Sequence, residues 1–336
     1  MDRQNYLDNL KVMLTFLVIF HHAGQAYGDG GEWGYTPSNP AEVMPWIWHF
    51  FSTNAAFFMG LYFFISGYFV PDSYDRQGFG TFMRKKILRL GIPLVLMGCF
   101  VSSVTGKVDI AHMWFVESLL IFCFFYAVIR KLCSAITNDC NFKLTIMRLC
   151  VVAIVMGVGS FFIRQLSPQD YWIRLSFWIF EPAHYFQYVM MFVLGILAYR
   201  FRWLDKMGNK TGMAILYIGV AFAIGNYIRQ DGVWNDFVWR WFGIYESFMC
   251  IFISFGLLWL FREKVNMSNS SLSWLSAQSY GAYIVHLPLM VVIQYLFDGV
   301  WMGAFGKFVF IGIVSTVLSY GLTWILRLLP GVKRII

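Results

Sequence analysis

A lysine and a histidine occupy one face of the first apolar stretch of the chain, DNLKVMLTFLVIFHH (8–22). At about 100° per residue, Lys11 and His22 return to within roughly 20° of each other around a helix. A rise of about 1.5 Å per residue separates them by roughly 16 Å, which places His22 about halfway across a hydrocarbon core. An imidazole there is costly to bury without a partner, so the pattern predicts either a functional site or an interhelical hydrogen bond.

Other polar residues accompany this pair on the same helix. Asp8 shares the face and Gln25 lies one turn beyond it, whereas His21 points away by roughly 90°. An ideal helix puts Asp8 about 21 Å from His22, so we expect Asp8 to organise Lys11 rather than to contact the imidazole. Because a neutral imidazole can take a proton from a hydroxyl, His22 is the candidate general base.

Three further stretches place polar groups in apolar surroundings. FFISGYFVP contains Ser66, AHMWFVESLL contains Trp114 and Glu117, and SYGAYIVHLP contains Tyr283 and His286. We expect the proline at the end of FFISGYFVP, Pro71, to end the helix. Glu117 needs a partner, which is either structural or catalytic. Ordinary interhelical hydrogen bonding explains Tyr283 and His286 as well as a substrate role does. Because no HExxH arrangement occurs, we expect no metal.

A cationic cluster follows the second apolar segment, in RKKILRLGIP (84–93). It contains Arg84, Lys85, Lys86 and Arg89. One interpretation is a topology anchor that faces lipid headgroups. The other is a clamp for phosphate groups, which arginine and lysine bind well at a helix end.

The elements that must position these residues are membrane helices. The chain has 336 residues, of which 59% are hydrophobic and 13% are charged, against about 25% charged residues in soluble domains. We therefore predict an all-α integral membrane protein, a bundle of about ten transmembrane helices in a single domain (1–336) with no appended soluble domain. The predicted segments are 12–28, 50–70, 88–104, 113–130, 144–164, 183–200, 212–229, 239–261, 279–297 and 304–327.

The basic residues orient this bundle. If the N-terminus is cytoplasmic, 20 of the 26 lysines and arginines fall on the cytoplasmic side, which predicts that both termini are cytoplasmic. The net charge of +8 comes from these basic residues, which do not form a stripe that would bind nucleic acid. Several tryptophans fall near the predicted outer edge, where a membrane-interface belt or sugar-stacking platforms would place them: Trp33, Trp46, Trp48, Trp172, Trp178, Trp234, Trp239 and Trp241.

Five of these motifs, LDNLK with the following histidine, FFISGY, RKKILRLGIP, HMWFVESLL and SYGAYIVHLP, occur in the order typical of one family. In this respect the chain resembles the acyltransferase-3 superfamily of ten-helix membrane acyltransferases. Its stretches HHAGQAYGDGGEWGY and MGLYFFISGYFVP look most like the branch that includes glucan-modifying succinyltransferase-like proteins. The resemblance implies O-acyl transfer from cytoplasmic acetyl-CoA or succinyl-CoA to a carbohydrate or lipid-linked glycan. It also implies no bound cofactor and a location in the bacterial inner membrane, among membrane lipids.

The resemblance assigns roles residue by residue. The family's Arg-x10-His pattern is Lys11-x10-His22 here, so His22 inherits the essential histidine. The basic Arg-x-x-Arg motif becomes Lys86-x-x-Arg89. Each lysine keeps the charge of the arginine it replaces but loses its bidentate geometry. We expect acyl-CoA phosphates at Lys11, Lys86 and Arg89, with Arg84 beside them.

The remaining site residues follow from the same comparison and from their chemistry. Tyr283 and His286 match the family's late tyrosine and histidine. Glu117 is a candidate to orient the ring of His22, and Ser66 or Tyr283 is a candidate to stabilise the oxyanion. A covalent acyl-enzyme is a further possibility.

A transporter or flippase for a polar or lipid-linked solute is the alternative function. Such a protein would also have ten helices, buried histidine and glutamate, and broken spans. Two related five-helix halves would favour it, and the sequence shows none. A catalytically inactive relative is a third possibility, against which the intact pair of Lys11 and His22 argues.

Overall fold

The computed structural model of the protein describes residues 4–28, 33–133, 144–169, 171–175, 178–228 and 241–336. Two of the predicted outer-edge tryptophans, Trp234 and Trp239, lie outside the described residues. Within these ranges the chain forms ten helices of 14 to 39 residues. They are α1 (Asn5–Gly28), α2 (Trp48–Lys86), α3 (Ile92–Thr105), α4 (Trp114–Leu132), α5 (Ile146–Leu166), α6 (Pro182–Phe201), α7 (Asn209–Tyr227), α8 (Phe242–Lys264), α9 (Ser270–Leu296) and α10 (Gly303–Leu326).

Each apolar segment predicted from the sequence overlaps one of these helices, so the helical prediction is confirmed. Six stretches among the described residues are long and apolar enough to cross a membrane. They are Pro40–Thr105, Ala111–Leu132, Ile146–Leu166, Phe242–Lys264, Ser270–Leu296 and Gly303–Leu326. The chain is thus a multi-pass membrane protein. The count of ten crossings and the cytoplasmic location of both termini stay predictions.

The second helix departs from the sequence prediction in one respect. The expectation that Pro71 ends it is wrong, because α2 continues through Pro71 as far as Lys86. A proline removes one backbone hydrogen bond, a loss that packed neighbouring helices tolerate. The helix is interrupted instead at Gly78, where φ is +69°, a value that glycine adopts without steric cost.

A wide helical turn joins α2 to α3. Ile87–Gly91 forms a π-helix, in which the N–H of Ile92 donates to the carbonyl of Ile87. Pro93 follows immediately, and its ring would clash with the carbonyl four residues earlier, at Arg89, in a regular α-helix. The wider turn relieves this clash and sets Arg89 within an element that often marks functional sites.

Short elements connect the long helices. A two-stranded antiparallel hairpin, β1 (Ile173–Leu175) with β2 (Trp178–Phe180), pairs Ile173 with Phe180 and adds a small sheet to the predicted all-α fold. Strands this short carry too few residues for an alternating pattern to be read from sequence. Other connections are a single α-turn at Trp203–Lys206 and 3₁₀ turns at Pro40–Glu42, Pro45–Ile47, Ala111–Met113 and Val332–Arg334.

The chain divides into two compact units. The first contains Ala56–Val265, and the second combines Gln4–Ala55 with Asn266–Ile336. Helix α2 passes from the second unit into the first. The prediction of a single domain stays a prediction.

Glycines allow helix α1 to pack closely within the second unit. A Cβ atom at Gly24 would lie 2.8 Å from the ring of Phe51, and one at Gly312 of α10 would lie 2.7 Å from the ring of Phe20. A larger residue at either position would have to displace these rings, so glycine allows the close packing seen between membrane helices. This packing lies on both sides of the position of His22 in α1.

Glycines play the same part in the first unit, where α2 crosses α6. A Cβ atom at Gly67 would collide with the backbone of Phe192, and one at Gly195 would collide with the backbone of Phe64. The two helix backbones are therefore in close contact at this crossing. Ser66, beside this crossing, is half-buried.

Candidate active site

Two histidines from distant parts of the chain form a hydrogen-bonded pair in the second unit. Nδ1 of His22 on α1 lies 2.7 Å from Nε2 of His286 on α9. The two rings are nearly parallel, with an interplanar angle of 8° and centroids 5.0 Å apart. His286 is completely buried, whereas His22 is half-buried. The structure thus satisfies the predicted need of His22 for a partner and leaves the ring accessible.

Tyr283 completes this chain of contacts through its backbone. Nδ1 of His286 lies 2.6 Å from the carbonyl oxygen of Tyr283, one helical turn earlier. The Tyr283 ring lies 5.8 Å from the His286 ring, measured between centroids. The sequence singled out both residues, but it did not predict that the backbone carbonyl of Tyr283 would hold the imidazole of His286.

The loop after α1 contributes an aromatic ring to the site. The Trp33 indole lies 5.2 Å from the His22 imidazole, between centroids, at 73°. Its Nε1 donates a hydrogen bond to Oε1 of Gln25 at 2.8 Å. Trp33 has φ of 56°, an uncommon left-handed conformation for a tryptophan, which persists only where the surroundings hold it. The indole therefore has a defined place beside the imidazole.

Contacts with the connection after α9 hold this loop. Tyr295 donates from its hydroxyl to the carbonyl of Gly34 at 2.7 Å. The Tyr35 hydroxyl and the Ser38 backbone N–H both donate to Oδ1 of Asp298, at 2.7 and 3.1 Å. These two donors hold the pKa of Asp298 below its ordinary value. Burial raises the pKa of Tyr35 well above the ordinary value of a tyrosine, and the hydrogen bond to Asp298 raises it further.

At its other end α1 carries the predicted ion pair. Nζ of Lys11 lies 2.8 Å from Oδ1 of Asp8, and both side chains are partly exposed. Asp8 therefore organises Lys11, as expected from the helix geometry. The hydroxyl of Thr15 donates to the carbonyl of Lys11 at 2.9 Å, one turn further along. Lys11 is thus displayed on the helix that carries His22.

The remaining cations of the predicted acyl-CoA site lie in the first unit, at the junction of α2 and α3. Arg84, Lys85 and Arg89 are exposed, and Lys86 is half-buried with its Nζ 5.3 Å from the ring centroid of Phe82. Three of the four cations are therefore exposed. The predicted convergence of this cluster with the lysine of α1, which belongs to the second unit, stays a prediction.

Glu117 and Trp114 also belong to the first unit. Glu117 is buried, and its Oε2 accepts a hydrogen bond from the backbone N–H of Ile179 in β2 at 3.0 Å. The partner predicted for Glu117 is therefore a backbone N–H of the hairpin. Trp114 stacks on Tyr188 with centroids 5.4 Å apart. The roles of Glu117 toward His22, and of Ser66 toward an oxyanion, stay predictions.

The first unit also contains a buried ionic network. His184 lies between two carboxylates, with Nδ1 2.7 Å from Glu181 and Nε2 3.1 Å from Glu246. Arg164 bonds to the other oxygen of Glu246. The position of Arg164 at the end of an apolar helix does not by itself reveal this partner. In the described part of the chain, no three His, Cys, Asp or Glu residues form a group that could hold a metal.

Comparison with known proteins places the chain in a family. A family model described as an acyltransferase domain, that of acyltransferase-3, matches residues 4–324. The glucans biosynthesis protein C of Escherichia coli strain SMS-3-5 is 24% identical over 326 residues, covering 86% of this chain and 82% of that protein. The protein of the same name from strain HS shows the same identity and coverage. No solved structure matches the chain. Because the family model spans almost its whole length, the protein belongs to the acyltransferase-3 family of membrane acyltransferases.

Proposed function

We propose that the protein transfers an acetyl or succinyl group from cytoplasmic acyl-CoA to a hydroxyl of a carbohydrate or lipid-linked glycan. The observation that carries this proposal is the half-buried imidazole of His22, held by the buried His286 in a chain that matches an acyltransferase family. The proposal places the protein in the bacterial inner membrane, with its donor on the cytoplasmic side.

The proposed reaction is general-base catalysis by His22. The imidazole takes the proton of the acceptor hydroxyl while that oxygen attacks the thioester carbonyl, and the carbon–sulfur bond then breaks. The departing thiolate recovers the proton from the imidazolium, which gives an ester and free CoA. The proton thus ends on the thiol of CoA, which is the leaving group, and the reaction uses neither a redox step nor a metal.

On the donor side, the proposal assigns phosphate groups to the cations predicted from the sequence. Arg89 is exposed and Lys86 half-buried at the junction of α2 and α3, and Lys11 is partly exposed on α1, the helix that carries His22. Phosphate groups of CoA carry the charge that such residues bind. The acyl arm would then extend along α1 over the roughly 16 Å that separates Lys11 from His22 in an ideal helix.

On the acceptor side, the proposal uses Trp33. Its indole stands against His22 and is fixed by Gln25, so it offers an apolar face to a sugar ring whose hydroxyl approaches the imidazole. The name of the E. coli relatives, glucans biosynthesis protein C, supports a glucan as the first acceptor to try.

The experiment is a donor panel on purified protein in lipid vesicles. Acetyl-CoA, succinyl-CoA and longer acyl-CoAs, each labelled on the acyl group, are supplied with an envelope extract, and CoA release and label transfer are measured. Release coupled to transfer supports the proposal and names the donor. Folded protein that releases no CoA with any donor, yet moves a labelled glycolipid between leaflets, would favour the transporter.

A further inference from the structure

We propose that His286 is a positioning residue that fixes His22 in the tautomer with its proton on Nδ1, so that Nε2 is the atom that accepts the proton of the acceptor. This inference rests on the proposed function, since it names the reacting atom of the same imidazole. It is carried by two consecutive contacts, from the carbonyl of Tyr283 to His286 and from His286 to His22.

The chain of hydrogen bonds has a fixed direction at its buried end. A backbone carbonyl only accepts hydrogen bonds, so the 2.6 Å contact between the oxygen of Tyr283 and Nδ1 of His286 requires the proton to be on that nitrogen. A neutral imidazole carries one N–H, so Nε2 of His286 then has a lone pair. His286 therefore offers an acceptor to its neighbour.

His22 must supply the donor for that acceptor. Its Nδ1 lies 2.7 Å from Nε2 of His286, so Nδ1 carries the proton of neutral His22. The nearly parallel ring planes suit an N–H that points along the plane toward a lone pair of the other ring. Nε2 of His22 is left unprotonated. The opposite direction would require His286 to carry both protons, as a buried cation.

Burial separates the roles of the two rings. His286 has no solvent-exposed surface, whereas His22 is half-buried. Only His22 can meet a substrate hydroxyl, so His286 acts through it. The arrangement resembles other catalytic histidines, in which a hydrogen-bond partner on one ring nitrogen selects which nitrogen takes up the proton.

The first test measures the tautomer of the resting protein. Protein labelled with ¹⁵N-histidine is studied by solid-state NMR in lipid, and the His22 signals are identified by their loss in His22→Ala. We expect a protonated Nδ1 and an unprotonated Nε2 on His22. A proton on Nε2 of His22 would overturn the inference. This measurement needs no turnover, so its result does not depend on whether the proposed acyl transfer takes place.

The second test uses two replacements of matched size. The amide of His286→Gln can accept from His22 and donate to Tyr283, whereas His286→Leu can do neither. We expect His286→Leu to lower kcat on the order of 100-fold with little change in KM for the donor, and His286→Gln to recover activity to within about tenfold of the wild type. An unchanged kcat in His286→Leu, or a loss that glutamine does not rescue while the His22 tautomer is unaltered, would contradict the proposal.

Discussion

Nζ of Lys307 lies 2.7 Å from Oε2 of Glu42, and both side chains are 1% exposed. Lys307 also donates to the backbone carbonyl of Asp298 at 2.7 Å. The pair joins helix α10 to the loop that carries Trp33 toward His22. A buried charge deprived of its partner is strongly destabilising, so this contact makes the loop part of the folded core.

The first prediction concerns this pair. Glu42→Ala leaves Lys307 buried without its carboxylate and should lower the free energy of unfolding by about 3–5 kcal/mol. The double variant Glu42→Leu with Lys307→Met removes both charges and should recover most of that loss. Unfolding in detergent, followed by thermal or denaturant titration, measures both.

Arg174→Ala provides the control for the buried pair. It breaks an ion pair with Asp109 in which the arginine side chain is 53% exposed, and it should cost less than about 1 kcal/mol. A loss in Glu42→Ala no larger than in Arg174→Ala would show that the buried pair does not hold the loop.

The second prediction concerns Trp33 as a cover over His22. Trp33→Ala removes the indole beside the imidazole and admits water to the thioester, so the ratio of acyl-CoA hydrolysis to acyl transfer should rise on the order of tenfold. CoA release and label in the acceptor, measured in one reaction, give the ratio. Trp46→Ala is the matched control, because Trp46 is 60% exposed in the same unit. Equal ratios in the two variants would exclude the covering role.

The third prediction concerns donor binding. Lys86→Ala with Arg89→Ala should raise the Kd for acyl-CoA on the order of tenfold at low salt, and by less at high salt because ions screen exposed charges. Equilibrium binding in detergent at two salt concentrations measures this effect. Lys264→Ala with Lys333→Ala removes two exposed charges elsewhere and is the control. A Kd that both double variants leave unaltered would contradict the phosphate-binding role.

The fourth prediction concerns pH and Asp298. Hydrogen bonds from Tyr35 and Ser38 lower its pKa in the folded protein, so the ionised form stabilises the fold. This contribution is present above the pKa of an unfolded aspartate and is lost as the pH falls through the lowered value. Asp298→Asn should therefore lower Tm by about 1–2 °C at pH 7, and the difference should disappear as the pH falls below the pKa of the folded carboxyl. A pH-independent difference would contradict the linkage.

The control for Asp298 is Asp205→Asn, because Asp205 is exposed. Its Tm should follow that of the wild type across the same pH range. Comparing both variants with the wild type in one detergent removes the general effect of acid on the protein.

Much of the fold followed from the sequence, because long apolar runs between basic loops can satisfy their backbone only as helices. Periodicity also placed Lys11, Asp8 and His22 correctly along α1, since residues on one helix have fixed spacing. The helix through Pro71 was missed because its tolerance depends on neighbouring helices. The local pattern around a proline contains no information about them.

Contacts between distant segments account for what the sequence did not reveal. His22 and His286 were each singled out, but nothing in their local patterns pairs residues 264 positions apart. Glu117 was expected to need a partner. That partner is a backbone N–H, a group that does not depend on residue type, so the sequence could not identify it. Lys307 appeared only as one of a few basic residues on the predicted outer side.

The most direct test of the account is acyl transfer by His22→Ala, with His21→Phe as the control. His21 adjoins His22 in sequence, but its ring packs on Phe51 with centroids 5.2 Å apart, a contact that phenylalanine can keep. Label transferred from acyl-CoA to the acceptor is measured for both variants in lipid, after each is shown to be folded. We predict that His22→Ala loses transfer by at least about 100-fold while His21→Phe retains most of it. Undiminished transfer by folded His22→Ala would contradict the assignment of His22 as the base.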